Sequence, residues 1–346
     1  MTRKALSALL GVSPRAITGW ESGDYPPEEN HVRSLASSLD FPVSFFYLDD
    51  PAGTDASAVS FRSLSKKSAG QRDAVIAMCD LAVDLVRWVE NGFGLPKWGN
   101  ERLHGERPDI AASLIRQEWG LGHKPVKSMM HLLEAKGVRV LALSQNCREI
   151  DACSFWSDGT PFVLLNNTVS NERMRFDMAH ELGHLLLHEP SENVGREAEK
   201  EANEFASEFL IPQASIVAHR PRIPTLEALI QHKRHWNVSV AALAYRLHKE
   251  RYISDWNFKS LNIEMGRRGY RRKEPNTSPH EVSHIFEIVL KRLREKGMPL
   301  SYVANQLSVP VAEVTQMIAG IAKVAFEGDG INDGESSTNH LRLVTK

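Results

Sequence analysis

Residues 177–188 read Asp-Met-Ala-His-Glu-Leu-Gly-His-Leu-Leu-Leu-His, and this stretch contains the pattern H-E-x-x-H. The composition is rich in helix formers, so we predict an α-helix here. His180 and His184 are four residues apart and would therefore lie on one face of that helix. Two imidazoles in this arrangement can bind one metal ion, and Glu181 can act as a general base on a water molecule.

A catalytic zinc ion needs a third protein ligand and one open position. In one common pattern a glycine and a third histidine follow on the same segment, but Leu187 and Pro190 occupy those positions here. We therefore expect the third ligand to come from a second helix, which the sequence predicts for residues 197–210.

That second helix offers two candidate ligands, Glu199 and Glu201, and the residues alone leave both open. Asn203 lies four residues after Glu199 and so shares its helix face. An amide in that position can hydrogen-bond a histidine that binds the metal. The remaining acidic residues of the segment are typical of a solvated helix surface.

Three stretches together resemble the ImmA/IrrE family of zinc metallopeptidases: His-Glu-Leu-Gly-His at 180–184, Glu-Lys-Glu-Ala-Asn-Glu-Phe-Ala at 199–206 and Phe-Leu-Ile-Pro at 209–212. The resemblance implies a zincin-like domain in which His180, His184 and Glu199 bind Zn²⁺. It also implies that Glu181 is the catalytic base. Members of this family cleave repressors in bacterial stress responses or mobile elements, which suggests a repressor or antitoxin-like protein substrate.

The N-terminal 50 residues predict short helices separated by a turn at Gly11, which is the helix-turn-helix layout. Residues 10–23 (Leu-Gly-Val-Ser-Pro-Arg-Ala-Ile-Thr-Gly-Trp-Glu-Ser-Gly) resemble Xre/Cro-type DNA-binding domains. That resemblance places Arg15 and Thr18 at the major groove. Such domains usually have one helix ahead of these, so we expect the first helix to be missing from this sequence.

Charge in this region works against DNA binding, since residues 1–50 hold four basic side chains against seven acidic ones. The basic side chains do cluster before Glu21, in the segment that would contact DNA. A protein-binding relic of a DNA-binding domain is the alternative interpretation.

Bulk properties restrict the class of protein. The chain has 346 residues and a net charge of −1, so the charge of the whole molecule does not favour nucleic acid. It has no run of about 18 apolar residues and no signal-peptide pattern, so we expect no membrane association. Three cysteines without a metal-binding spacing are typical of a reducing compartment, and we expect a cytoplasmic protein.

The predicted fold class is α+β and mostly helical, with a small sheet. A strand at 138–143 and a hairpin at 153–165 should precede the H-E-x-x-H helix. Ser278 and Glu281 form a capping-box pattern that predicts a helix start. We divide the chain into a helix-turn-helix domain (1–50), a linker and helical connector (51–107), the peptidase domain (108–215), a helical, helix-turn-helix-like region (216–275), a C-terminal helical region (276–327) and a disordered tail (328–346).

Two functions fit this organisation. The first is a DNA-binding regulatory zinc peptidase, and the second is a transcriptional regulator whose peptidase-like domain senses a partner without cutting it. The basic run at 267–273 could contact phosphate or could be a solvated loop. A homodimer is compatible with either function.

Overall fold

The structure is a computed structural model, and it describes residues 2–49, 59, 69–144, 147, 149–189 and 195–322. The linker predicted at 51–57, the basic segment at 61–67 and the tail predicted from residue 328 lie outside the described residues.

The N-terminal domain consists of helices α1 (Arg3–Leu10), α2 (Pro14–Glu21) and α3 (Glu29–Leu39), followed by a 3-10 helix (Val43–Tyr47). Gly11 ends α1 with a φ of 68°, a left-handed conformation that glycine adopts without strain. Ser13 then begins α2 by accepting a hydrogen bond from the backbone N–H of Ala16. The predicted helix-turn-helix is therefore present.

The helical connector and the start of the central region comprise α4 (Ala69–Gly92), α5 (Pro108–Glu118) and α6 (Met129–Ala135). Helix α6 begins at Met129. Ser128 caps it, and the carboxylate of Glu281 accepts a hydrogen bond from the Met130 N–H at 2.8 Å. A side chain distant in sequence therefore fixes the start of this helix.

Within the described residues, the strands β1 (Arg139–Ala142), β2 (Ala152–Ser157) and β3 (Thr160–Leu165) form one sheet in the order β1-β3-β2. β2 and β3 pair antiparallel across a tight turn, in which Asp158 and Gly159 both have positive φ. β1 lies parallel to β3, with Val140 opposite Val163. The predicted strand and hairpin are both confirmed, and β2 is at one edge of the sheet.

Helices α7 (Asn171–Leu187) and α8 (Arg196–Leu210) pack directly against each other. Gly183 permits their close approach, because a Cβ at this position would lie 3.2 Å from the Cα of Ala202 and from the ring of Phe205. All but a few residues of α7 are buried. The helix that carries H-E-x-x-H is thus central to the fold, and α8 lies alongside it.

Further helices follow in the order α9 (Gln213–His219), α10 (Leu226–Trp236), α11 (Val240–Lys249), α12 (Asp255–Arg267), α13 (His284–Glu295), α14 (Leu300–Gln306) and α15 (Val311–Ile318). The turn between α10 and α11 has Asn237 at a φ of 55° and Ser239 as the N-cap of α11. Helix α10, this turn and helix α11 thus follow one another in a helix-turn-helix order. The chain as a whole is α+β and mostly helical, as predicted.

The capping-box prediction at Ser278 was wrong. Helix α13 begins at His284, and Ser283 caps it. Ser278 instead hydrogen-bonds Asn171 and Asn237, each at 2.7 Å. Since these partners come from α7 and from the turn before α11, the local pattern could not distinguish a cap from a tertiary contact.

A search of the described helices for length and apolar character finds none that could cross a membrane.

Candidate metal centre

Three predicted ligands meet at one point between α7 and α8. The Nε2 atoms of His180 and His184 are 3.0 Å apart. The carboxylate of Glu199 lies 3.7 Å from His180 Nε2 and 3.5 Å from His184 Nε2. Both histidines are 1% exposed, whereas Glu199 is 25% exposed. The site is therefore anchored in the core and reaches the surface on the side of Glu199.

Hydrogen bonds determine how the ring of His180 is oriented. The Asn203 amide donates from Nδ2 to the backbone oxygen of Glu199 at 2.6 Å, so its Oδ1 must be the atom that faces His180. His180 Nδ1 lies 3.2 Å from that oxygen and therefore donates to it. The proton sits on Nδ1, and Nε2 directs a lone pair into the site.

His184 is held by a chain of two further side chains. Its Nδ1 lies 3.0 Å from Nδ1 of His188, and His188 Nε2 lies 2.9 Å from a carboxylate oxygen of Glu201. Since the Glu201 carboxylate accepts from His188 Nε2–H, His188 Nδ1 accepts from His184 Nδ1–H. His184 thus also directs the lone pair of Nε2 into the site.

Glu201 was the alternative ligand, and the structure places it on His188 instead, away from the ligand group formed by His180, His184 and Glu199. His188 is a residue that the sequence interpretation did not single out. Its position four residues after His184 was the available signal, because that spacing puts both rings on one helix face.

The arrangement fits a tetrahedral divalent metal ion. Ligand atoms at about 2.0–2.1 Å from a tetrahedral zinc ion lie about 3.3 Å from one another. The separations of 3.0, 3.5 and 3.7 Å are close to that value. Two nitrogen lone pairs and a carboxylate directed at one point would repel each other without a cation between them. The donor set therefore matches a metal site with three protein ligands.

Glu181 lies beside this group on the inner face of α7, where it is 1% exposed. The hydroxyl of Ser154 on strand β2 donates a 2.6 Å hydrogen bond to one of its carboxylate oxygens. The edge strand of the sheet therefore fixes the orientation of the glutamate. Ser154 was not predicted, because no local pattern connects it with a residue 27 positions later.

Arg173 and Arg175 take part in salt bridges. Arg173 pairs with Asp151 at 2.7 Å and with Asp177 at 3.5 Å. Arg175 is fully buried and pairs with Glu281. Both arginines lie within α7, so they anchor the helix that carries the metal ligands.

The two residues predicted to contact DNA are far from this centre in sequence and lie in α2. Arg15 and Thr18 are both exposed, while Ile17 between them is buried. Thr18 Oγ donates to the backbone oxygen of Pro14 at 3.1 Å, which leaves its methyl group and the oxygen lone pairs accessible. The exposed face of α2 thus presents the residues that the pattern assigned to the major groove.

Two family models match the chain. Residues 133–248 match a peptidase family model described as the IrrE N-terminal-like domain, and residues 1–46 match a helix-turn-helix model. The predicted fusion of an IrrE-type metallopeptidase domain with an N-terminal Xre-type domain is therefore confirmed. The search of curated proteins yields no match. The first matched region includes His180, Glu181, His184, Glu199 and Asn203.

Proposed function

We propose that this regulatory protein, with its helix-turn-helix and IrrE-type metallopeptidase domains, is a zinc-dependent endopeptidase that cleaves a transcriptional repressor or an antitoxin-like protein. The observation that carries this proposal is the convergence of His180, His184 and Glu199, with both histidine lone pairs directed at one point. The DNA-binding domain supports a role at a promoter and, with it, a cytoplasmic location.

His180, His184 and Glu199 would hold the metal ion. When bound, zinc supplies Lewis acidity that activates water and polarises the carbonyl of the scissile peptide. Asn203 fixes the His180 ring, and His188 with Glu201 fixes the His184 ring. Such outer hydrogen bonds keep ligand rings in the correct tautomer and raise their basicity.

Glu181 is the proposed general base. Its carboxylate would take a proton from the attacking water and later deliver it to the leaving amine. The hydrogen bond from Ser154 holds one carboxylate oxygen, which leaves the other for this proton. Burial of Glu181 excludes bulk water from the carboxylate.

Strand β2 supports a way to bind the substrate. It lies at one edge of the sheet and carries Ser154, so its backbone runs next to Glu181. An extended polypeptide can add to such an edge by main-chain hydrogen bonds. A substrate strand paired with β2 would therefore lie beside the metal site.

The proposed DNA contacts are Arg15 and Thr18 on the exposed face of α2. The helix-turn-helix match supports DNA binding by this domain. Cleavage of a repressor by a protein that also binds DNA would bring the enzyme to the promoter that its substrate controls.

The first test is elemental analysis of the purified protein and of two variants, His180→Ala and Glu199→Ala. We expect about one zinc ion per chain in the wild type and loss of the metal in both variants. Glu197→Ala is a matched control, because Glu197 is an exposed residue of the same helix and pairs with Lys200. Zinc that persists in Glu199→Ala would contradict the assigned ligand set.

A second test separates metal binding from catalysis. Glu181→Gln should retain zinc and lose peptide hydrolysis, because the amide cannot accept the proton. Wild-type protein that binds zinc and cleaves no protein from its own genomic neighbourhood would favour the alternative, a regulator that senses a partner. Hydrolysis by a pure Glu181→Gln sample would contradict the role of Glu181.

A further inference from the structure

A cleft of about 750 Å³ opens beside the metal centre, between α7 and α8 on one side and α11 with the turn at 268–273 on the other. Asn203 lines this cleft and also holds His180. Phe176 lines it too, and its ring centroid lies 6.4 Å from that of His180. The cleft therefore lies next to residues that flank His180, although His180, Glu181, His184 and Glu199 are not among the residues that line it.

The charged groups in this cleft are of two kinds. Arg173 pairs with Asp151 and Asp177, and Glu274 pairs at 3.2 Å with Lys233, which also pairs with Glu172. Each of these two clusters therefore holds one cation and two carboxylates.

Arg271 and Arg272 differ from those pairs. Both line the cleft and are exposed. In the part of the chain that the structure describes, no carboxylate lies within ion-pair distance of either guanidinium. The charged side chains that line the cleft and lie outside these two clusters are therefore both positive.

Aromatic side chains form much of the remaining wall. Tyr245 on α11 is 45% exposed, and Phe176 and Tyr270 are half-buried. Arginine beside exposed aromatic rings is a surface that suits a polypeptide segment combining carboxylates with apolar side chains.

We propose that this cleft, which we call the arginine cleft, binds an acidic stretch of the protein substrate. Arg271 and Arg272 bind its aspartate or glutamate side chains, and Phe176 and Tyr245 contact the apolar side chains next to them. The inference rests on the proposed peptidase function, since it assigns the substrate class of that site. It makes Arg271 and Arg272 specificity-determining residues outside the catalytic group.

Nucleic-acid phosphate is the competing ligand for these arginines. The basic run at 267–273 is not a continuous basic surface, because Arg268 is bound to Glu227 at 2.9 Å and to Glu264. Those carboxylates would face a phosphate backbone that followed the run. The cleft that holds Arg271 and Arg272 is also lined by Asn203 and Phe176, which lie next to His180, and this position favours a polypeptide over a duplex.

The test uses the full chain with Glu181→Gln, so that the probe is not consumed. The probe is a mixture of fluorescein-labelled peptides with a central Glu-Glu pair and randomised apolar flanks, and its twin has Gln-Gln instead. Fluorescence anisotropy should show that the Glu-Glu probe binds at least about tenfold more tightly, as expected for charge-assisted arginine–carboxylate bonds. The double variant Arg271→Gln/Arg272→Gln should remove this preference.

Arg267→Gln is the matched control. Arg267 is exposed and belongs to the same basic run, but it does not line the cleft. It should leave the preference for Glu-Glu unchanged. The proposal would be overturned if the two probes bound equally well or if neither bound. It would also be overturned if Arg267→Gln lost the preference for Glu-Glu as fully as the double variant. A DNA duplex that displaces the probe and depends on Arg271 and Arg272 would overturn it as well.

Failure of the arginine-cleft proposal can be distinguished from failure of the proposed peptidase function. If the protein binds zinc and cuts no protein, the peptidase proposal fails, yet the anisotropy measurement still reports whether the arginine cleft selects carboxylates. If the protein cuts its substrate and the double variant cuts it with an unchanged KM, the arginine cleft is not the substrate site.

Discussion

Two helix-turn-helix units among the described residues have the same turn chemistry and opposite surroundings. In the first, Gly11 and Ser13 separate α1 from α2. In the second, Asn237 and Ser239 separate α10 from α11. A left-handed residue followed by a serine cap specifies the local geometry in both cases.

The second helices of the two units differ in what they bury. α2 buries Ile17 and leaves Arg15 exposed. α11 buries the guanidinium of Arg246, which pairs with Glu208 and with Glu250 at 3.1 Å. The turn therefore determines the shape of such a unit. The contacts of the second helix determine whether that helix is exposed and able to bind a ligand.

The largest effect should come from Arg246→Ala. The change leaves the buried carboxylate of Glu208 without its cation and removes a 3.1 Å hydrogen bond to the backbone oxygen of Ile211. Breaking a buried ion pair in this way costs about 3–5 kcal/mol of unfolding free energy, measured by urea denaturation. Lys249→Ala is the control, since Lys249 pairs with Glu204 near the surface, and should cost less than about 1 kcal/mol.

The two turn residues offer a matched pair of smaller effects. Gly11→Ala should destabilise by about 1–2 kcal/mol, because alanine is strained at a φ of 68° and no other atom crowds the new methyl group. Asn237→Ala should cost more, because it also loses the hydrogen bond from Ser278. Asn237→Gly removes the side-chain bond without adding strain and should therefore cost less than Asn237→Ala. Equal losses in unfolding free energy for Asn237→Ala and Gly11→Ala would contradict this ordering.

Low pH should weaken the packing of the second helix-turn-helix unit against α7. Lys233 of α10 pairs with Glu172 of α7 at 2.9 Å, and both side chains are 1% exposed. Burial raises the pKa of Glu172, but hydrogen bonds from Thr277 and Lys233 outweigh it, so the pKa lies below its ordinary value of 4.5.

The lowered pKa means that the folded state favours the charged carboxylate. Its contribution to stability is complete above pH 4.5 and is lost as the pH falls below that value. We expect the melting temperature of the wild type to fall more steeply below pH 4.5 than that of Glu172→Gln. If the melting temperatures of the two proteins changed with pH in parallel, Glu172 would not contribute to the pH dependence of stability.

The smallest effect on stability, and a clear effect on binding, should come from Arg15→Gln. Arg15 is exposed on α2, so the unfolding free energy should change by less than about 0.5 kcal/mol. Affinity for DNA should fall about fivefold or more, and the salt dependence should weaken if the side chain contacts phosphate. Electrophoretic mobility shifts with a selected operator would measure this. An unchanged affinity would remove Arg15 from the DNA interface.

Sequence patterns predicted the features that depend on near neighbours. The spacing of His180 and His184, the position of Asn203 after Glu199 and the Asp158-Gly159 turn all act within one helix or one hairpin. The structure brings those residues to the positions that the patterns indicated. Short-range geometry of this kind follows from the helical and strand repeats themselves.

The features that were missed depend on residues distant in the chain. Ser154 reaches Glu181 from an edge strand, and Glu281 reaches Arg175 across 106 residues. Ser278 resembles a helix cap locally, yet its partners come from α7 and from the turn before α11. No periodicity encodes such pairings, because they arise only when the helices pack.

The ion pair between Arg175 and Glu281 has a practical consequence for anyone who isolates the peptidase domain. The family match ends at residue 248, yet the carboxylate that neutralises the buried Arg175 and caps α6 belongs to a later segment. A recombinant fragment trimmed to the matched region would expose an apolar face and leave a cation in its core. The smallest fragment expected to fold on its own therefore extends at least through Glu281.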